Sequence, residues 1–306
     1  MSKCKFCGSS DLRFFQAKER MLGLGGNFSY AECISCESLQ LDSIPADLSS
    51  YYPADYYSFA ELKKSNPIAR LLKKFRMRVF LRFGIRWLSP VFGYWLVKFQ
   101  PGFSDRIADV GCGNGQLLYE LHAAGFTDLQ GFDPFIAEDT QIAPGLCLWK
   151  KRIEESEVSF DWIMMHHSFE HMEDPEDVLK SCYEKLKPGG KLLIRCPVAD
   201  SEVWKESREF WVQLDAPRHL IIPTLKGLKI KAEQLGFVLD EVAFDSTDFQ
   251  FWGTELYRRG ELLDESKTAA FLTKDVRSSM QEKALLYNQE GKGDQACFYL
   301  RKPIKA

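Results

Sequence analysis

The chain has 306 residues, of which 45% are hydrophobic and 13% aromatic, enough apolar material to bury the core of one large domain or two. A formal net charge of -3 speaks against a body that attracts polyanions over its whole surface. No basic-then-apolar leader opens the sequence, and no run of about 18 uncharged apolar residues suggests a membrane span, so cytoplasmic residence is the expectation.

The first element is a cysteine framework. Cys4 and Cys7 form one CxxC pair and Cys33 and Cys36 another. Each pair can fold into a knuckle offering two thiolates, and two knuckles supply the four soft ligands that tetrahedral zinc prefers. Residues 12–15 and 27–32 read as short strands around the Gly23–Gly26 turn, giving a zinc-ribbon pattern over residues 1–45. Four protein ligands leave no open coordination position, so the expected role of the metal is structural. Four unmetallated thiols in a reducing cytosol are the alternative. Cys112, Cys147, Cys182, Cys196 and Cys297 are scattered and read as small core residues.

Residues 46–104 read as a linker followed by helices. The tyrosine-rich stretch 51–57 reads as an aromatic linker that packs neighbouring modules together. Beyond it, Ile68, Leu71, Leu72, Phe75, Val79 and Phe83 recur at the spacing of one helical face, with Arg70, Lys73, Lys74, Arg76 and Arg78 off that stripe. Residues 62–104 hold ten Lys or Arg and no acidic residue, so the remainder of the chain is distinctly acidic. Two readings follow: a basic face meeting a membrane or a lipid-linked, phosphate-bearing substrate, or a helical pair packed on a sheet with its charges in water.

From residue 105 strands and helices alternate. Strands are predicted at 106–111, 128–133, 146–149, 160–166, 190–196, 238–244 and 298–301, with helices at 115–124, 174–186 and 224–235 and a polar, partly helical insertion at 264–293. Such alternation implies right-handed crossovers and a doubly wound, mostly parallel α/β sheet of seven strands. Ligands on such sheets bind beyond the carboxyl ends of the strands. Asp109-Val-Gly-Cys-Gly-Asn-Gly115 lies at the first such end, and Gly111, Gly113 and Gly115 leave the loop backbone open to a close ligand. Asp133 ends the next strand, where a carboxylate can accept from both hydroxyls of a ribose.

Four landmarks in order, DVGCGNG at 109, GFDP at 131, FDWIMMHHSFEHMEDPEDVL at 160 and LKPGGKLLIRCP at 186, resemble the class I S-adenosylmethionine-dependent methyltransferases over about 90 residues. The resemblance implies a Rossmann-like domain at 105–306 and S-adenosylmethionine as cofactor. It implies contacts from Asp109, the three glycines, Phe132, Asp133, Pro134, Ile153, Glu154 and His167, and offers Tyr56 and Tyr57 as a lid over the cofactor pocket, the alternative to a linker that only packs modules together. LDAPRHL at 214–220 is similar to a segment of methyltransferases acting on small molecules or the cell envelope.

Methyl transfer from a sulfonium is an in-line displacement in which the protein mainly aligns the nucleophile and takes its proton where the acceptor requires it. His167 and His219 are the candidate bases, while Asp215 and Arg218 either grip a sugar hydroxyl or phosphate or pair with each other. The expectation is methyl transfer to an O or C atom of a small-molecule or lipid-linked saccharide acceptor, with membrane contact through residues 62–104 and nucleic acid disfavoured. RNA or ribosome methylation is the alternative enzyme reading. A zinc-bearing interaction protein with a spent cofactor fold is the non-enzymatic one.

Overall fold

The computed structural model describes residues 3–53, 61–90 and 93–304; Tyr56 and Tyr57 lie outside them. Contacts divide the chain into two compact units. Residues 1–53, 169–179 and 194–298 form the first, and residues 54–168, 180–193 and 299–306 the second.

In the first unit, β1 (Leu12–Lys18), β2 (Asn27–Cys33) and β3 (Leu39–Leu41) form an antiparallel sheet. A fourth strand, β10 (Ile221–Ile222), pairs with β3 through Ile221↔Gln40 and Ile222↔Leu39. The cysteine-bearing segment is therefore not the self-contained module expected at residues 1–45. Tyr30, Leu39 and Leu41 share one core with Trp204, Trp211, Leu220 and Ile222. A 45-residue segment has too little apolar area to close a core by itself, so a distant part of the chain completes it.

The second unit is built on parallel strands. β4 (Arg106–Val110) lies between β5 (Asp128–Phe132) and β8 (Phe160–His166), and β7 (Leu146–Trp149) follows β5. Ile107, Ala108, Ile163, Met164 and Met165 are fully buried, the near-continuous apolar run of strands covered on both faces. An eighth strand not read from the sequence, β6 (Thr140–Ala143), adds antiparallel to β7. The order is β11-β12-β9-β8-β4-β5-β7-β6, in which β9 (Leu186–Pro197) and β12 (Gln295–Arg301) run through both units and β11 is Val238–Phe244. The last strand, β12, inserts between β11 and β9. It is antiparallel to β9, since Gly189 pairs with Lys302 while Val198 pairs with Asp294. The polar insertion before it holds α8 (Lys274–Glu290), preceded by α7 (Phe249–Arg258).

Helix α1 (Pro67–Phe83) starts where Asn66 accepts from the Ala69 amide and Pro67 occupies the first turn, and it stops at Gly84 with φ of 63°. Its sequence periodicity is correct, but the face is not the buried one. Met77 and Phe80 are buried, whereas Ile68, Leu71, Leu72, Phe75 and Phe83 are between 63% and 74% exposed. The helix is held to α3 (Gln116–Ala124) partly through polar contacts, Lys73 with Glu120 and the Ser65 amide donating to the Tyr119 hydroxyl. Further on, the aromatic segment turns inward: Trp95 and Phe99 pack on Trp162 at 5.3 and 5.0 Å between ring centroids. No helix among the described residues is long and apolar enough to cross a membrane.

Candidate active site

The glycine loop is stitched to its neighbours within the second unit. The Gly111 amide donates to the Phe132 carbonyl at 2.8 Å, and the Asp133 amide to the Trp149 carbonyl at 3.0 Å, which aligns the ends of β4, β5 and β7. Gly111 has φ of 76°, and a Cβ there would lie 2.4 Å from the Cβ of Ser168, whose hydroxyl donates to the Val110 carbonyl at 2.6 Å. Glycine is thus required twice over, by conformation and by space. Ser168, which the sequence reading passed over, clamps this turn; a lone serine after a strand carries no signal of such a task.

Asp133 accepts from the Gly113 amide at 3.0 Å through Oδ2 and from the Phe135 amide at 2.9 Å through Oδ1. Each oxygen keeps acceptor capacity for a further donor. Asp109 is 3% exposed, and its Oδ1 has no hydrogen-bond partner among the described residues. Burial, reinforced by the charge of Asp133, pushes its pKa up to about 8. A buried carboxyl lacking a partner next to open backbone is matched by a cationic ligand group, as the amino group of S-adenosylmethionine is. The ribose hydroxyls of the same molecule suit the remaining lone pairs of Asp133. The residues present therefore fit that cofactor.

The other implied contacts are less uniform. Phe132 is buried edge-on against Phe160 at 5.7 Å, so its ring belongs to the sheet. Pro134 is exposed beside Asp133. Ile153 is buried and Glu154 exposed in the short turn after β7. His167 stands directly after β8 with φ of 51°, a left-handed conformation uncommon for a residue with a side chain. His166 packs on Trp95 at 4.7 Å.

Asp215, Arg218 and His219 belong to the first unit, and there the expected roles need correction. Arg218 has no exposed side-chain surface. Its guanidinium donates to Asp215 at 2.6 Å, to Glu19 at 2.9 Å and to the Tyr51 carbonyl at 3.3 Å, so it is committed to internal partners rather than presented to a substrate phosphate. His219 is buried, its Nδ1 bonds the Gln213 carbonyl at 2.7 Å, and burial lowers its pKa to about 4. A base that weak does not take a proton near neutrality. Sequence spacing revealed the Asp215–Arg218 pairing as one of two readings, but Glu19, 199 residues away, was invisible to it.

The four framework cysteines converge as expected. The sulfurs of Cys4 and Cys36 are 3.5 Å apart, as are those of Cys7 and Cys33, and all four lie within 4.8 Å of one another. Zinc–sulfur bonds of about 2.3 Å place tetrahedral ligands about 3.8 Å apart, so the cluster fits zinc. Both knuckles close alike: the Gly8 amide donates to the Cys4 carbonyl at 2.9 Å and the Glu37 amide to that of Cys33 at 2.7 Å.

Residues 61–242 match the family model of the methyltransferase domain, and the chain belongs to that family. A tRNA U34 carboxymethyltransferase of Helicobacter acinonychis is 31% identical over 156 residues, covering 46% of this chain and 60% of the relative. Another, from Sulfurimonas denitrificans, is 27% identical over 212 residues, 62% of this chain and 70% of the relative. The mouse mitochondrial ubiquinone biosynthesis O-methyltransferase is 33% identical over 110 residues, 31% of this chain and 29% of that enzyme. The chain spans about 60% of the length of the first of these relatives.

These likenesses correct two expectations, the small-molecule or lipid-linked saccharide acceptor and the disfavour shown to nucleic acid. The longer matches are to enzymes named for a tRNA base, while the quinone enzyme matches over less than a third of its length. The error came from weighing net charge. Polyanion binding depends on the local field, and the acidic remainder of the chain does not cancel a segment with ten cations and no anion.

Proposed function

We propose that the protein is a transferase that alkylates an RNA base from a sulfonium nucleoside donor, delivering a methyl group from S-adenosylmethionine or a carboxymethyl group from the derivative that carries carboxymethyl on the sulfonium, with tRNA as the acceptor class. The likeness to tRNA U34 carboxymethyltransferases carries this reading. When bound, the sulfonium donor supplies an activated alkyl group, so the chain's own work is alignment and proton removal. Asp133 and the backbone of the 111–115 loop hold the donor, Asp109 meets its amino group, and His167 receives the acceptor's proton. Helix α1 supports an RNA acceptor. Phe75 and Phe83 on the helix and Trp87 just beyond it are 68%, 68% and 82% exposed, Arg82 lies over the Phe83 ring at 6.0 Å and Arg78 is exposed on the same helix, the combination of rings and cations that single-stranded nucleic acid meets.

The test compares tRNA nucleosides, by mass spectrometry, from cells with and without the gene. One nucleoside lighter by a methyl or a carboxymethyl unit in the deficient cells, restored by the purified protein with donor, is the expected result. Identical nucleosides in both overturn the RNA reading. His167→Ala should lower turnover about 10²-fold or more, a larger effect than any loss of donor affinity from the same change. Charge reversal at Arg78 and Arg82 should weaken tRNA binding and flatten its salt dependence. Loss of binding to phosphatidylglycerol vesicles, with tRNA affinity intact, would instead assign α1 to a membrane surface.

A further inference from the structure

A second group of metal-ligating side chains lies in the first unit, separate from the cysteine cluster. Glu170 and His171 sit in the tight turn Phe169–His171, and His219 in the loop that leads into β10; ligand atoms of all three lie within 4.8 Å of one another. Their backbone is pinned. The Leu220 amide donates to the Glu170 carbonyl at 2.7 Å, the His219 amide to the Asp215 carbonyl at 3.2 Å, and the Tyr30 hydroxyl to the His219 carbonyl at 2.8 Å. The buried ion pairs of Arg218 with Asp215 and Glu19 hold the adjacent residue in place.

The tautomers follow from the partners. His219 Nδ1 is 2.7 Å from the Gln213 carbonyl, and His171 Nδ1 is 2.9 Å from the Arg218 carbonyl. A carbonyl only accepts, so both Nδ1 atoms carry a proton, and in the neutral imidazole of either ring Nε2 is the nitrogen with the lone pair. The Tyr52 hydroxyl also donates to the Arg218 carbonyl, at 3.4 Å, and rests 3.2 Å from His171 Nδ1, consistent with that assignment. The two rings stand 4.8 Å apart at 70°, presenting their edges rather than stacking. Imidazoles whose far nitrogen is tied to a backbone carbonyl are oriented as metal ligands are, and a carboxylate beside two of them makes a set suited to a divalent transition ion.

We propose that Glu170, His171 and His219 form a second cation site, of nitrogen–oxygen type, that takes a divalent transition ion such as zinc. This site is chemically unlike the all-sulfur cluster, and it leaves coordination positions open where the cysteines leave none.

The experiment uses the full chain, stripped of metal, dialysed against zinc and measured by elemental analysis, with cobalt(II) as a spectroscopic stand-in. Two zinc ions per chain are expected, falling to one in His171→Gln/His219→Gln and to one in Cys4→Ser/Cys36→Ser. One cobalt equivalent should show thiolate-to-metal charge transfer, and the other only weak ligand-field bands. A single ion per wild-type chain overturns the proposal, as does a second equivalent that survives the double histidine change. Circular dichroism checks that each variant is folded. Should the double variant unfold, Glu170→Gln and the wild-type cobalt spectrum decide: absence of the thiolate-free component refutes the site.

Discussion

Arg218 and Asp109 are both buried charged-type residues that the sequence marks as candidates, yet their surroundings differ in kind. Around Arg218 each guanidinium nitrogen has a carboxylate or a carbonyl at hydrogen-bond distance. Asp109 has an oxygen lacking such an answer among the described residues, and a pKa pushed far above the usual carboxylate range. Satisfied burial holds a fold together. Unsatisfied burial at the end of a parallel strand is a place kept for a ligand.

The strongest way to break this contrast is to remove the guanidinium. Arg218→Ala strands Glu19 and Asp215 in the interior, and urea unfolding should show a loss of about 3–5 kcal/mol. A loss under about 1 kcal/mol would mean that the cluster is not structural. Gly111→Ala comes next. It must adopt φ of 76° and push its Cβ into Ser168, so a cost of at least about 1 kcal/mol is expected, together with loss of donor binding by calorimetry. Retained affinity would show that the loop does not approach the donor closely.

The smallest effect sharpens the other side. With a folded pKa at about 8 against 3.8 when unfolded, Asp109 holds its proton more tightly in the folded state. Between those values the unfolded chain binds fewer protons, so the stability of the donor-free protein falls as pH rises from about 4 to about 8. Asp109→Asn removes that slope, and the variant should exceed wild type in stability at pH 8, with the gap closing toward pH 4. Binding of the donor's amino group should release a proton from wild type at neutral pH. Calorimetry in buffers of different ionisation enthalpy measures this release; its absence would mean that Asp109 is not the group facing the amine.

Much of the second unit was readable in advance. β7 and β8 match their predicted limits, and the Gly113 amide of the glycine loop meets Asp133, because strand and loop signals are local and repeat over a few residues. α1 shows where such reasoning stops. Its apolar period predicted the helix but not its orientation, since a periodic stripe states that one face differs from the other and not which neighbour covers it. β10 was missed because two residues carry no period at all; it exists because β3 has an edge to pair.

By itself the sequence determined the α/β class, the cysteine framework and the strand-loop-helix that fits a nucleoside donor, each encoded within a dozen residues by periodicity, spacing or missing side chains. Only the tertiary structure decided that Glu19 neutralises Arg218, that His219 is held neutral beside His171 and Glu170, and that the apolar side of α1 faces outward. Those outcomes depend on burial and on partners up to 199 residues away, and the low polarity of the interior, absent from any linear pattern, makes them matter.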